Sequence, residues 1–211
     1  MSRRNRVDPF GDLHAVPDRG LFTGNRGCVV DDDEMVVRHH RGDLWIICVT
    51  EFRDRRVALA RPNRWTPLFF LDDVVALAAG HRPCGACRHD AYVSYRDAVT
   101  AGLHRSDPVR AGELNRMLRA ERLHGRAREI DRADHRIPWS ESAAELPDGT
   151  VVVIDGLPHL FHDGDVRPFS FAGWGAARTP PDDPLTVLTP PTSVLALAHG
   201  FAPTMHPSAS G

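Results

Sequence analysis

The spacing of apolar and polar positions changes period several times along the chain, and each change marks an element. Met35–Arg38, Leu44–Phe52 and Arg56–Ala60 are Val- and Ile-rich runs separated by Arg41-Gly-Asp and Arg53-Asp-Arg, and they read as short strands joined by hairpin turns. In the second run a period of two places Ile46, Cys48, Thr50 and Phe52 on one face and Trp45, Ile47 and Val49 on the other, which puts Cys48 on a strand. Beyond Pro62, Leu68–Leu71 is a further strand-like run. The period then lengthens, and Asp72-Asp-Val-Val-Ala-Leu-Ala-Ala-Gly80 predicts a two-turn helix with an aspartate cap and a glycine exit. A longer helix is predicted from near Cys87 through Tyr92, Val93 and Ala98, and another from Asp107-Pro108 to about His124. Residues 125–148 are polar and lead into the turn Pro147-Asp-Gly. Thr150–Asp155, Pro158–His162 and Val166–Phe171 follow, with Asp155-Gly and Asp163-Gly between them, and predict a small antiparallel sheet. Residues 1–27 show no period and read as an irregular arm, with turns at Gly11, Gly20, Gly24 and Gly27.

These elements define an α+β protein: an N-terminal hairpin unit over 28–102, a helical segment over 103–148 and a small C-terminal β unit over 149–211 that packs against the first. One internal similarity bears on the end of the chain. Val74–Pro83 and Val194–Pro203 agree at six of ten positions, 120 residues apart, and both fit a strand, turn, short helix, glycine cap and proline exit. The pattern is that of a degenerate repeat of one supersecondary unit.

Charge is distributed unevenly. All 26 basic residues are arginine, the simplest source of which is a GC-rich genome. The net charge is +2 over residues 1–64, −1 over 65–102, +3 over 103–136 and −6 over 137–211. Phosphate contacts need clustered positive charge, so a nucleic-acid face is expected in the first two-thirds of the chain. No apolar run approaches the roughly 20 residues of a membrane span, and the arginines of the N-terminus precede no apolar stretch, so the chain reads as cytoplasmic.

In that compartment four cysteines point to a metal or to redox chemistry more than to disulfides. Cys84-Gly-Ala-Cys87 has the spacing with which a turn directs two thiolates onto one zinc ion, and its small middle residues relieve crowding. Two more ligands complete a tetrahedron. Cys28 and Cys48 are the natural candidates, with His14, His39, His40 and His81 as alternatives for a site of three thiolates and one imidazole.

The stretch from Leu68 to Cys87, a Phe-rich strand, an Ala-rich helix and then Ala-Gly-His-Arg-Pro-Cys-Gly-Ala-Cys, resembles the zinc-binding domain of the Ada-type DNA methylphosphotriester repair proteins. The resemblance is close over these 20 residues and loose over 28–90. It implies a structural role for Cys84 and Cys87 as ligands of a zinc held by four thiolates, one of which takes a methyl group from damaged DNA in that family. The family's earlier cysteines are closely spaced, whereas Cys28 and Cys48 are 20 residues apart and match them only by order. Cys48 also lies in the apolar run Trp45-Ile-Ile-Cys-Val, where burial would shield its sulfur, so the zinc is expected to be structural and inert. No helix-turn-helix pattern follows.

Two functional classes remain. In the first, a zinc unit binds nucleic acid, with a link to DNA damage, and Arg82, Arg88, Arg116 and Arg119 supply phosphate contacts. Residues 109–136 support it by placing Leu114, Met117, Leu118 and Leu123 on one helical face with Arg110, Arg116, Arg119, Arg122 and Arg126 around it, although a solvated amphipathic helix has the same pattern. In the second, a zinc-scaffolded enzyme acts on a small molecule, with His159, His162, Asp163, Asp165, His199 and His206 as acids, bases or ligands. Glu121 and His124, three residues apart, form a further candidate ligand pair. Nucleotide-binding and common hydrolase motifs are absent.

Overall fold

The computed structural model describes residues 3–33, 35–53, 55–56, 65–123 and 137–211. Its elements in chain order are β1 (Arg6–Val7), β2 (Leu13–His14), β3 (Phe22–Asn25), β4 (Ile46–Cys48), β5 (Glu51–Phe52), β6 (Arg55–Arg56), β7 (Leu68–Phe70), α1 (Asp73–Ala78), β8 (Arg82–Pro83), α2 (His89–Gly102), α3 (Ala111–Arg122), β9 (Trp139–Glu141), β10 (Thr150–Ile154), β11 (Leu157–His162), β12 (Asp165–Ser170), β13 (Gly173–Trp174), β14 (Leu185–Val187) and α4 (Pro191–Ala198). The fold is α+β, with one mixed sheet in the order β2-β1-β7-β3-β4-β8, one antiparallel sheet in the order β13-β12-β11-β10-β14-β9, and the separate hairpin β5-β6. Among the described residues no helix is long and apolar enough to cross a membrane.

The segment 1–27 is not an irregular arm. It supplies three strands of the first sheet, and β3 lies at its middle, pairing antiparallel with both β4 and β7. Its strands are too short, and too rich in glycine and arginine, to show a period. Met35–Arg38 forms no strand; it makes an isolated Val30–Val36 bridge and turn bonds such as Val37 N–H to Val29 O at 3.0 Å. The run Leu44–Phe52 divides into β4 and β5, while the predicted strand over 56–60 lies mostly outside the described residues. The helix predicted from Asp107 begins at Ala111, because Val109 is fully buried and donates its N–H to Thr100 Oγ1 at 3.0 Å, which keeps the preceding residues extended.

In the second sheet the predicted turns are two-residue hairpin loops. Asp155 and Gly156 have φ of 53° and 75°, and Asp163 and Gly164 have φ of 54° and 78°, the left-handed pair that suits the twist of the flanking strands. One hydrophobic core joins the sheets. Val7, Ile47, Leu68, Phe70 and the whole of α1 share it with Val151, Leu160, Trp174, Ala196 and Phe201.

Asp72 fastens the two halves. It is fully buried, caps α1 by accepting from the Val75 N–H at 3.0 Å, and accepts from Trp174 Nε1 at 2.7 Å and the His206 N–H at 3.0 Å. Burial pushes its carboxyl pKa up, while the three donors favour the ionised form. Asp72→Ala would leave those donors without an acceptor in the core. A loss of about 3 kcal/mol is expected, measurable as a lower urea midpoint with little change in slope.

The two similar stretches share a local geometry at their helix exits. Gly80 and Gly200 have φ of 85° and 98°; His81 N–H bonds Ala76 O at 2.9 Å, and Phe201 N–H bonds Ala196 O at 3.0 Å. Both are left-handed glycine caps of the kind that return the chain across the last helical turn. Their N-termini differ. Asp72 caps α1 locally, whereas α4 receives Glu121 from α3, whose carboxylate accepts from Thr192 N–H at 2.9 Å and Thr192 Oγ1 at 2.6 Å.

Candidate metal centre

The glycine cap of α1 turns the chain into β8, which lies parallel to β4 with Ile46 opposite Arg82 and Ile47 opposite Pro83. The next residue, Cys84, donates its N–H to Ile47 O at 2.9 Å and so comes to rest beside Cys48. Ile47 is fully buried on the core face of β4, and the alternation of the strand turns the half-exposed Cys48 the other way. The turn Gly85-Ala86 then brings Cys87 back toward both. The ligand atoms of Cys48, Cys84 and Cys87 all lie within 4.8 Å of one another, so these three residues could hold a metal ion.

The local bonding closes a tight turn at Cys84–Cys87. Ala86 N–H donates to Cys84 Sγ at 3.4 Å, and Arg88 N–H bonds Cys84 O at 3.1 Å, which closes the turn. Arg88 pairs through both terminal nitrogens with Asp73, the second residue of the α1 N-terminus, and thereby ties the start of α2 to α1. The thiol of Cys48 donates toward Cys84, and that contact, with the Cys87 and Ala86 amides, holds the Cys84 pKa down to about 5. The same contact and burial push the Cys48 thiol up, and burial also raises Cys87. Three sulfurs so close cannot all carry charge unless a cation sits among them. The donor set suits a soft or borderline divalent ion such as zinc, whose bonds to sulfur are about 2.3 Å.

Cys28, counted with these residues from the sequence, is not one of the group. Its thiol donates to Val30 O at 3.3 Å at the base of the 29–37 turn. The alternative imidazoles lie elsewhere. His14 Nε2 meets Asp8 at 2.8 Å; His39 and His40 face each other, Nδ1 to Nδ1, at 3.3 Å beside Trp45; His81 is fully buried between Trp45 and Phe70.

The arginines divide into two sets. Arg82 is buried, donating from Nε to Asn115 Oδ1 at 2.9 Å and from Nη1 to Pro83 O at 2.9 Å, and Arg88 is committed to Asp73. Arg116 and Arg119 are exposed on α3, Arg119 reaching Asp43 at 2.9 Å. The Asn115–Arg82 bond is one link between α3 and β8. Cys48 leads along the chain into the β5-β6 hairpin, where Phe52 is exposed and Arg53 lies over its ring at 5.1 Å. The sequence reading did not weigh that hairpin as a binding element; its signal is an aromatic residue among three arginines within five positions.

The C-terminal histidines do not converge. His159 contacts Leu157 O and Arg178, His199 contacts Leu195 O, and His206 contacts Ser208. His162 alone joins a cluster, with Asp148 at 3.2 Å and Asp163 at 3.5 Å. Glu121 is spent on capping α4, and His124 lies outside the described residues. A recess lined by Phe10, His39, Trp45 and Arg122 is too tight to admit water. Comparison of the chain with family models, with curated proteins and with solved structures found no match.

Proposed function

We propose that the chain is a zinc-containing nucleic-acid-binding protein in which Cys48, Cys84 and Cys87 hold the metal and exposed arginines of α3 and the β5-β6 hairpin meet phosphate. The observations that carry this reading are the sulfur triad at the edge of the first sheet, the exposed Phe52 and Arg53 of the hairpin that follows Cys48, and the exposed Arg116 and Arg119 of α3. The metal would tie together β4, β8 and the start of α2. An aromatic ring backed by guanidinium groups is a sequence-tolerant platform for an unpaired base, which points to single-stranded or locally opened nucleic acid. Arg82 and Arg88 act indirectly, by positioning the knuckle.

The reading is tested by fluorescence anisotropy with labelled single-stranded and duplex oligonucleotides across a salt series. Binding is expected to weaken steeply with salt. The double variant Arg116→Ala/Arg119→Ala should lower affinity and flatten the salt slope by about two phosphate contacts, while Phe52→Ala should weaken single-stranded binding by roughly 1–3 kcal/mol. Salt-insensitive binding, or none by the zinc-loaded protein, would remove the proposal. A link to damaged DNA rests on the Ada-type resemblance of residues 68–87 and is tested by competition with DNA carrying methyl phosphotriesters.

A further inference from the structure

The protein contributes three sulfurs where a tetrahedral zinc ion takes four donors. Among the described residues, the cysteine and histidines weighed for the fourth place are held elsewhere: the Cys28 thiol on Val30 O, His14 on Asp8, His81 between Trp45 and Phe70, and His39 against His40. His89, two residues beyond Cys87, turns its Nδ1 to Gly85 O at 3.2 Å. No other Cys, His, Asp or Glu among the described residues joins the three-sulfur group. Approach from solvent is open on this side. Gly85 and Ala86 are exposed, Cys48 and Cys87 are half-buried, and a glycine at the tip of the knuckle places no side chain in the way.

Resting on the metal reading above, we propose that the centre is a ligand-binding site, whose fourth position is taken by an exchangeable small-molecule thiol. The class follows from the donor set. Three thiolates leave a divalent ion with one net negative charge and supply strong electron donation, so a water bound there is acidified far less than on an imidazole-rich zinc and is a poor hydrolytic nucleophile. A fourth sulfur matches the softness of the set and completes a shell that zinc readily adopts. In the exchange the thiol gives its proton to solvent, a metal–sulfur bond forms and a metal–water bond breaks. The metal keeps its oxidation state throughout.

The test uses the full chain loaded with cobalt(II), whose thiolate charge-transfer band reports the number of sulfurs and whose visible bands report geometry. Loading is expected to give the intensity of three thiolates, and titration with 2-mercaptoethanol should raise it saturably to that of four and shift the visible bands. Cys28→Ser should leave both spectra unchanged. Bands that ignore added thiol, or a fall in intensity in Cys28→Ser, would overturn the inference, because the chain itself would then close the shell. Absence of any thiolate band on loading would remove the metal reading instead, a separable outcome. A second variant, Cys48→Ser, is expected to start at two thiolates and to rise with added thiol. Failure to rise, with cobalt still bound, would again count against an open position.

Discussion

Cys84→Ser is expected to abolish tight metal binding, taking zinc from about one per chain to a trace, and to destabilise the protein by about 2–4 kcal/mol. Cys84 is the pivot of the triad. It sits against Cys48 across the β4-β8 pair, and its sulfur accepts the Ala86 amide that shapes the knuckle. Zinc-finger peptides derive roughly 10–16 kcal/mol of coupled folding from their metal because nothing else orders them. Here Ile47, Leu68, Phe70 and α1 already form a buried core, so a bound ion would add order chiefly to the Cys84–Cys87 turn, the end of β4 and the start of α2. For a chain of this size the loss corresponds to a fall in Tm of roughly 5–15 °C, and calorimetry with metal analysis would measure both effects. With Cys84 ionised and Cys48 and Cys87 protonated at neutral pH, loading one zinc should also release about two protons. A serine variant that keeps its zinc and its Tm would dismiss the triad as a metal site.

The parts of the fold legible in the sequence are those where a local rule acts alone. The Asp72 cap, the Gly80 exit, the Asp-Gly hairpin turns of the second sheet and the buried face of α3 each follow from a few neighbouring residues, and the structure has them all. What could not be read is what depends on distant partners. Strands β1 and β2 have two residues each, and β9 has three; they exist because a neighbouring strand supplies the other half of each ladder. No local pattern encodes that partner.

The same division holds for the site. Cys84 and Cys87 announce themselves by spacing, and Cys48 could be placed on a strand, but only the parallel β4-β8 pairing brings it to them and leaves Cys28 out. The apolar run around Cys48 suggests burial of its sulfur. The alternation of β4 instead gives burial to Ile47 and leaves Cys48 half-exposed on the other face. Arg122 misled in the opposite sense. It belongs to the polar pattern of its helix, yet it is buried, donates to Leu118 O, Gly80 O and Asp43 O at 3.0, 3.1 and 3.1 Å, and stacks on Trp45 at 4.0 Å.

Burial sets the second large effect, a loss of stability in acid to which His81 contributes. His81 is fully buried, neither ring nitrogen has a hydrogen-bond partner, and its imidazole packs against Trp45 at 5.2 Å and Phe70 at 4.7 Å. Burial first, then the nearby charges of Arg26 and Arg122 and the neighbouring His39, drives its pKa well below the ordinary value. Arg122 itself is pushed down to about 9 by burial and so stays charged at neutral pH. In the unfolded chain His81 takes up its proton near pH 6.5, whereas in the folded protein it stays neutral. The unfolded state therefore binds more protons as pH falls, and the stability present above about pH 6.5 is lost below it at up to about 1.4 kcal/mol per pH unit for this one group. The raised carboxyls of Asp8, Asp72 and Glu121 act in the opposite direction, because the folded protein protonates them more readily than the unfolded chain. The two trends are separated by His81→Phe, which keeps an aromatic ring against Trp45 and Phe70 and removes the titration. Urea unfolding followed by tryptophan fluorescence between pH 7.5 and 5 should show a falling midpoint in the parent and a flatter profile in the variant, and equal slopes in the two would show that His81 is not the source.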